Sequence, residues 1–273
     1  IEDAGYNDQY LECVTLKDDK QVVISTEVYD LEDHTKLGNL NNMDKFTTVS
    51  TADANPMLVG FSYSSSTLSA LSLPTCTSLG TFEMRGKMNS IASDKNMNDR
   101  VLVSVGEKED ATLQYLQVTM SEDNTVSFKV LAAVKLRGLG TFGLWHTRDK
   151  GEPILCCALE GKIVFVSLAD FSAPKVIAQT TVHFGSNRNR KASIMDLAFY
   201  TPKDDDDGNT CQVISAGCDG CIGMIALEGE RAFKVVDGFS VTTNNKPCNN
   251  VAVHNDSGVI CTSSNFLNEA NFW

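Results

Sequence analysis

Apolar residues along this chain come in short runs separated by turn-forming residues, and almost nowhere do they keep a 3.6-residue period beyond about ten residues. That pattern predicts short β-strands joined by turns, with no amphipathic segment of helix size. The stretch 213–227, VISAGCDGCIGMIAL, shows it most clearly. Two apolar runs there flank a knot of small residues, Gly217-Cys218-Asp219-Gly220. An Asp-Gly pair between β-rich runs predicts a tight hairpin, because both residues tolerate the positive φ that such a turn needs. In the second run Gly223 and Ala226 are small beside Ile222, Met224 and Leu227, which predicts a buried strand rather than a surface one.

The same pattern recurs. Setting Ile225 in register with similar runs selects Tyr29 in VYDL, Leu71 in LSALSL, Leu116 in LQYLQV, Val166 in IVFVSL and Trp273 in EANFW. The steps between them are about 42, 45, 50, 59 and 48 residues, near the period of a four-stranded propeller blade. Six units are expected, at about 10–40, 46–84, 88–136, 141–184, 193–241 and 249–273, the last incomplete. Short strands and evenly spaced turns throughout make the chain all-β.

The Val213–Leu227 stretch resembles the strand–turn–strand centre of a WD-type repeat, with Asp219-Gly220 in the expected place. VYDL and Trp273 match that family's signatures as well. The stretch departs where the repeat carries Trp-Asp, since Ile225 and Ala226 stand there, and no Gly-His dipeptide precedes the inner strands. The resemblance implies one β-propeller domain over 1–273, built of four-stranded antiparallel blades. A single blade cannot cover its two apolar faces, so blades bury them against one another. Residues near 1–16 completing the last blade would give a six-bladed ring, and further chain after Trp273 a seven-bladed one. A β-sandwich pair is the competing all-β arrangement. For function, the resemblance implies a non-enzymatic scaffold that presents loop-lined faces to other proteins, as a subunit of a larger intracellular assembly.

Charge narrows the partners. The 273 residues carry a formal net charge of −12 with an isoelectric point near 4.7. This opposes binding of nucleic acid or anionic membrane over the whole surface and favours basic or neutral protein partners. No apolar run is long enough for a membrane span, so no membrane insertion is expected. The acidic N-terminus, IEDAGYNDQY, is no secretory signal. Starting without Met and stopping on Trp273 inside an expected strand, the sequence reads as cropped or processed at both ends. Nine cysteines, an odd number scattered through apolar runs, read as reduced core thiols of a cytoplasmic or nuclear protein.

Candidate chemistry is sparse. Gly138, Gly140 and Gly143 have the spacing of a dinucleotide fingerprint, but LWHTRDKGEP follows where a helix is required. Cys218-Asp219-Gly220-Cys221 lacks a second pair of zinc ligands and a redox helix, leaving hairpin-flanking thiols. The four histidines, His34, His146, His183 and His254, share no metal-ligand spacing. Asp196 is expected on a strand lining a central channel, with Glu160 and His254 at comparable early strand positions. Such groups would suit a metal-assisted hydrolase, the alternative function, against the plainer reading of a solvated channel rim. Two charged loops stand out: SNRNRK (186–191) and KDDDDG (203–208), expected on opposite faces of a propeller. Their residues Arg188, Arg190, Lys191, Asp204, Asp205, Asp206 and Asp207 are the candidate partner-binding positions. RNA contact through SNRNRK, within a ribonucleoprotein, is a further alternative. No catalytic residue, cofactor or metal site is assigned.

Overall fold

The computed structural model describes residues 13–15, 21–24, 27–30, 35–40, 43–51, 56–73, 75–94, 96–107, 110–184, 192–202, 211–240, 246–264 and 269–273. Among these there are twenty-three strands and no α-helix, so the chain is all-β. The strands form six antiparallel sheets. In chain order the sheets comprise β1 (Cys13–Thr15), β2 (Gln21–Ile24), β3 (Glu27–Asp30) and β4 (Lys36–Asn39), then β5 (Lys45–Val49), β6 (Met57–Phe61), β7 (Thr67–Ser72) and β8 (Ser78–Glu83). The third holds β9 (Met88–Ser93), β10 (Arg100–Val105), β11 (Ala111–Met120) and β12 (Val126–Leu136). The fourth holds β13 (Leu139–His146), β14 (Pro153–Leu159), β15 (Lys162–Ser167) and β16 (Lys175–Thr181). The fifth has β17 (Ile194–Tyr200), β18 (Gln212–Gly217), β19 (Cys221–Ala226) and β20 (Val235–Ser240). The sixth has only β21 (Asn250–His254), β22 (Val259–Ser264) and β23 (Glu269–Phe272).

Every sheet is a meander in which consecutive strands pair, and the six sheets fall within the six predicted units to within a few residues. The repeat extends to irregularities. The pairing of third and fourth strands slips at Val28/Tyr29, Ala70/Leu71, Phe165/Val166 and Met224/Ile225. These are four of the residues that the sequence pattern sets in register. A bulge adds twist where it occurs, so the same device twists four sheets at the same place. Leu116 also lies on a third strand, while Trp273 lies one residue beyond β23 and is half-exposed. Residues 13–15 pair with β2 in the first sheet and are therefore not a fourth strand for the sixth.

In the second and fourth sheets burial falls from the second strand to the fourth. The second strands β6 and β14 are buried at every position, on both faces. Cys156 and Cys157 are neighbours on β14, point to opposite faces and are both fully buried as free thiols. The fourth strands β8 and β16 are largely exposed. Strands buried on both faces need apolar cover on both, and for β6 the third sheet supplies one side and the first sheet the other.

The chain divides into two compact units, residues 1–106 with 114–130, and residues 107–113 with 131–273. In the first, β5 lies beside β9, and one cluster of apolar side chains from Val49 to Val126 packs the second and third sheets together. In the second unit, β13 lies beside β17 and β17 beside β21, so consecutive sheets meet along their first strands. Trp145, Cys156, Phe165, Val213 and Ile225 fill the layer between the fourth and fifth sheets there. Among the described residues no helix is long and apolar enough to cross a membrane.

Candidate functional site

The Val213–Leu227 stretch forms β18, a short turn and β19 as predicted. Gly217 O accepts the Gly220 N–H at 3.0 Å, and Gly220 takes φ +74°, so the glycine, rather than Asp219, supplies the positive φ. Ser215 and Gly217 share a face of β18, and Gly223 stands directly opposite Ser215 on β19. Three small residues on one face leave a socket.

Val182 and His183, which follow β16, fill it. A methyl group on Gly217 would overlap Nδ1 of His183, and one on Gly223 would overlap Cγ1 of Val182. The N–H groups of Val182 and His183 both donate to Gly161 O in the β14–β15 turn, at 2.9 and 3.0 Å. The backbone is thus held by the fourth sheet while the His183 ring enters the fifth. Nδ1 lies 2.9 Å from Asp219 Oδ1, and Nε2 lies 2.9 Å from Ser215 Oγ. An ionised carboxylate only accepts, so Nδ1 carries the proton that it donates to Asp219. Ser215 Oγ is also 3.2 Å from Gly223 O, leaving the hydroxyl two possible acceptors for its single proton.

Asp219 is the hub. Its Oδ1 accepts the Cys221 N–H at 3.1 Å as well, and its Oδ2 accepts the Phe184 N–H at 3.1 Å. Burial alone would raise its carboxyl, but the bond to His183, the charge there and the two backbone donors outweigh it and hold the carboxyl below the ordinary range. Two further bonds tie the turn to its surroundings. Cys218 N–H donates to Ser193 O at 2.9 Å and Cys248 N–H to Gly217 O at 3.1 Å.

Ser, His and Asp in this order have the connectivity of a hydrolytic triad, but not its access. Ser215 and His183 are both fully buried. A nucleophile needs space about 3 Å away for the reacting atom. Here Val182 covers Gly223 and the sheet covers the rest. The arrangement is an internal clamp between two sheets, and burying it is tolerable because each polar atom in it has a partner.

Sequence alone missed this grouping, since His183 shares no ligand spacing with another histidine. The available signal was the small face of Ser215, Gly217 and Gly223 together with a lone His in the apolar VHF segment.

The other candidates are scattered. Asp196 lies in β17, where Oδ1 accepts its neighbour Leu197 N–H at 2.8 Å and Oδ2 accepts the Val251 N–H of β21 at 3.0 Å. It joins the first strands of two sheets, and burial pushes its carboxyl up despite those bonds. Glu160 is not at an early strand position. It stands in the two-residue β14–β15 turn, with φ +46°, followed by Gly161 at +78°. His254 ends β21 and bonds Ser257 Oγ at 2.9 Å. No cluster of three or more His, Cys, Asp or Glu able to hold a metal occurs among the described residues.

Gly138, with φ +69°, links β12 to β13, and Gly140 and Gly143 lie within β13. A methyl group on Gly143 would overlap the Phe199 ring of β17, so that glycine serves strand packing. Cys218 Sγ lies 3.2 Å from Met195 Sδ, and burial together with the Asp219 charge raises its thiol, the reverse of an activated thiolate. In the first unit buried Asp94 accepts the N–H groups of Asn96 and Met97 and the Tyr115 hydroxyl at 2.5 Å, a second internal polar tie. Arg188, Arg190, Lys191, Asp204, Asp205, Asp206 and Asp207 lie outside the described residues.

No protein-family model matches this chain, and no curated protein matches it either.

Proposed function

We propose that the chain is a non-enzymatic interaction scaffold, a divergent WD-like β-propeller of six or seven blades that serves as a subunit of a larger intracellular assembly. The observation that carries the functional half is the fate of the Ser215–His183–Asp219 group. Among the described residues, this group with catalytic connectivity keeps Ser215 and His183 fully buried and is spent on joining two sheets. Partner recognition then falls to the connections between strands, for which the sequence offers the basic 186–191 and acidic 203–208 segments as candidates. The propeller half is supported by the meander order of every sheet, the bulge repeated at the same third-strand residue, and first strands lying side by side within each unit.

The test is isolation of the intact protein from its native source with chemical cross-linking and mass determination. A stoichiometric complex with other proteins, cross-linked through loop residues, is expected. A monomer with no partner would overturn the scaffold. So would ester or amide hydrolysis abolished by Ser215→Ala. An electron-microscopic projection without a ring and central channel would overturn the propeller.

A further inference from the structure

We propose that the cleft between the β12–β13 connection and the β14–β15 turn binds an acidic amino acid, with Arg137 and Lys162 taking its carboxylates and Glu160 its ammonium group. Such a site goes beyond the scaffold reading and does not rest on it.

The cleft has a volume of about 910 Å³ and lies within the second compact unit, its lining including Asp110, Lys135, Arg137, Gly138, Glu160 and Lys162. That is room enough for a small molecule. Glu160 is the anomaly. The pairing of Leu159 with Lys162 makes Glu160-Gly161 a two-residue turn, in which Glu160 takes φ +46°. A glutamate is uncommon and strained in that region, whereas Asn fits it. The side chain returns nothing to the fold: among the described residues its carboxylate has no hydrogen bond or ion pair. It lies over Gly138, where a methyl group would come within 3.8 Å of Oε1. Backbone strain kept without an internal bond in return points to a function for the side chain.

The remaining charges select the ligand. Lys135 is balanced by Asp110, whose Oδ1 lies 2.8 Å from its Nζ. Lys162 Nζ donates to the neutral Oε1 of Gln179 at 3.3 Å, which leaves its charge uncompensated. Arg137 is exposed and, like Glu160, has no bonded partner among the described residues. Two positive charges and one negative charge therefore line one cleft without pairing. A ligand that meets all three carries two carboxylates and one ammonium group. The guanidinium fork of Arg137 matches a planar carboxylate, and the Glu160 carboxylate accepts from an ammonium N–H. A plain dicarboxylate would face repulsion from Glu160, and a plain amine would face repulsion from Arg137 and Lys162.

Titration of the full chain followed by two-dimensional amide NMR tests this with three probes. They are L-glutamate, glutarate, which lacks the ammonium group, and the peptide amide Glu-Ala-Ala, which lacks the free α-carboxylate. L-Glutamate should shift the amides of Gly138, Gly161 and Lys162 saturably. It should bind at least about fivefold more tightly than either other probe, as the loss of one charge-assisted bond requires. Its affinity should fall at least about fivefold in Arg137→Gln and in Glu160→Asn. Asn suits the turn better than Glu, so binding lost from a Glu160→Asn protein whose melt is not lowered is not lost folding. An unchanged circular-dichroism melt makes the same check for Arg137→Gln. Absence of saturable shifts at these amides overturns the proposal, as does affinity indifferent to either substitution. Glutarate binding as tightly as L-glutamate also overturns it, because the cleft would then be a simple anion trap. Equal binding of the peptide amide does so too, because the ligand would then be the N-terminus of a protein chain. A stoichiometric complex with other proteins is a separate measurement, so each of these failures leaves the scaffold reading standing.

Discussion

Replacing Asp219 by Ala tests the clamp directly. The carboxylate accepts hydrogen bonds from His183, Phe184 and Cys221. After truncation, water can reach the Phe184 and Cys221 N–H groups, since the Asp219 side chain is already 13% exposed. Each of those two losses should cost about 1 kcal/mol. The His183 Nδ1–H is different, because that ring has no exposed surface. Leaving this donor unsatisfied costs about 1–3 kcal/mol on its own. The sum is about 3–5 kcal/mol, a large part of the stability of an ordinary domain. Asp219→Asn keeps an acceptor while losing the charge and one backbone bond, and should cost about 1–2 kcal/mol. Urea unfolding followed by tryptophan fluorescence reads this well, because Trp145 is buried in the core between the fourth and fifth sheets. Amide exchange gives the local signature: Phe184 and Cys221 should lose protection in Asp219→Ala before the rest of β18 and β19. A double-mutant cycle with His183→Ala should give a coupling of about 1.5 kcal/mol or more. A cost below about 1 kcal/mol for Asp219→Ala, or strict additivity with His183→Ala, would refute the clamp.

Gly223→Ala should destabilise by about 1–3 kcal/mol through overlap with Val182, although alanine is ordinarily the better strand residue. Adding Val182→Ala should recover at least half of that loss in the same urea assay. Glu160→Asn should raise stability by about 0.5–1 kcal/mol, because both central residues of its turn have positive φ and Asn tolerates that region better than Glu. Asp196 and Asp219 should be displaced in opposite directions from the ordinary carboxyl value in a carboxyl-carbon NMR experiment. Asp219 lies below its ordinary value, so its contribution to stability is complete above about pH 4 and is lost as pH falls through the depressed value. Asp196 lies above its ordinary value, so its contribution declines as pH rises through that raised value. Protonation of Asp219 at a higher pH than Asp196 would contradict both assignments.

The boundaries of the sheets were legible because they are local. Alternating apolar residues and turn formers set where a strand begins and stops, and the predicted 88–136 unit coincides with β9 to β12. The register residues Leu71, Leu116, Val166 and Ile225 are all buried on third strands for the same reason. Glu160 was misplaced because its conformation is not that of a strand: Glu-Gly occupies positions that usually hold Asn-Gly, and glutamate gives no turn signal. The clamp was not legible as a unit because its members meet only through space, with His183 separated by 36 residues from Asp219 and 32 from Ser215.

That separation also explains why the most patterned stretch of the chain carries so little bulk of its own. Ser215, Gly217 and Gly223 leave a hole that no side chain of the fifth sheet fills, and Val182 and His183 from the preceding connection fill it. The fifth sheet's packing is therefore completed by residues whose backbone is held at Gly161 by the fourth. Stability in such a chain resides in the joints between neighbouring modules as much as within them. The consequence can be located: loosening Asp219 should release not only its own turn but also the Val182 and His183 bonds to Gly161, so that the β14–β15 turn gains mobility across a sheet boundary. A residue whose loss is felt on both sides of a joint holds the joint, and this is why we assign the Ser215–His183–Asp219 group an architectural role.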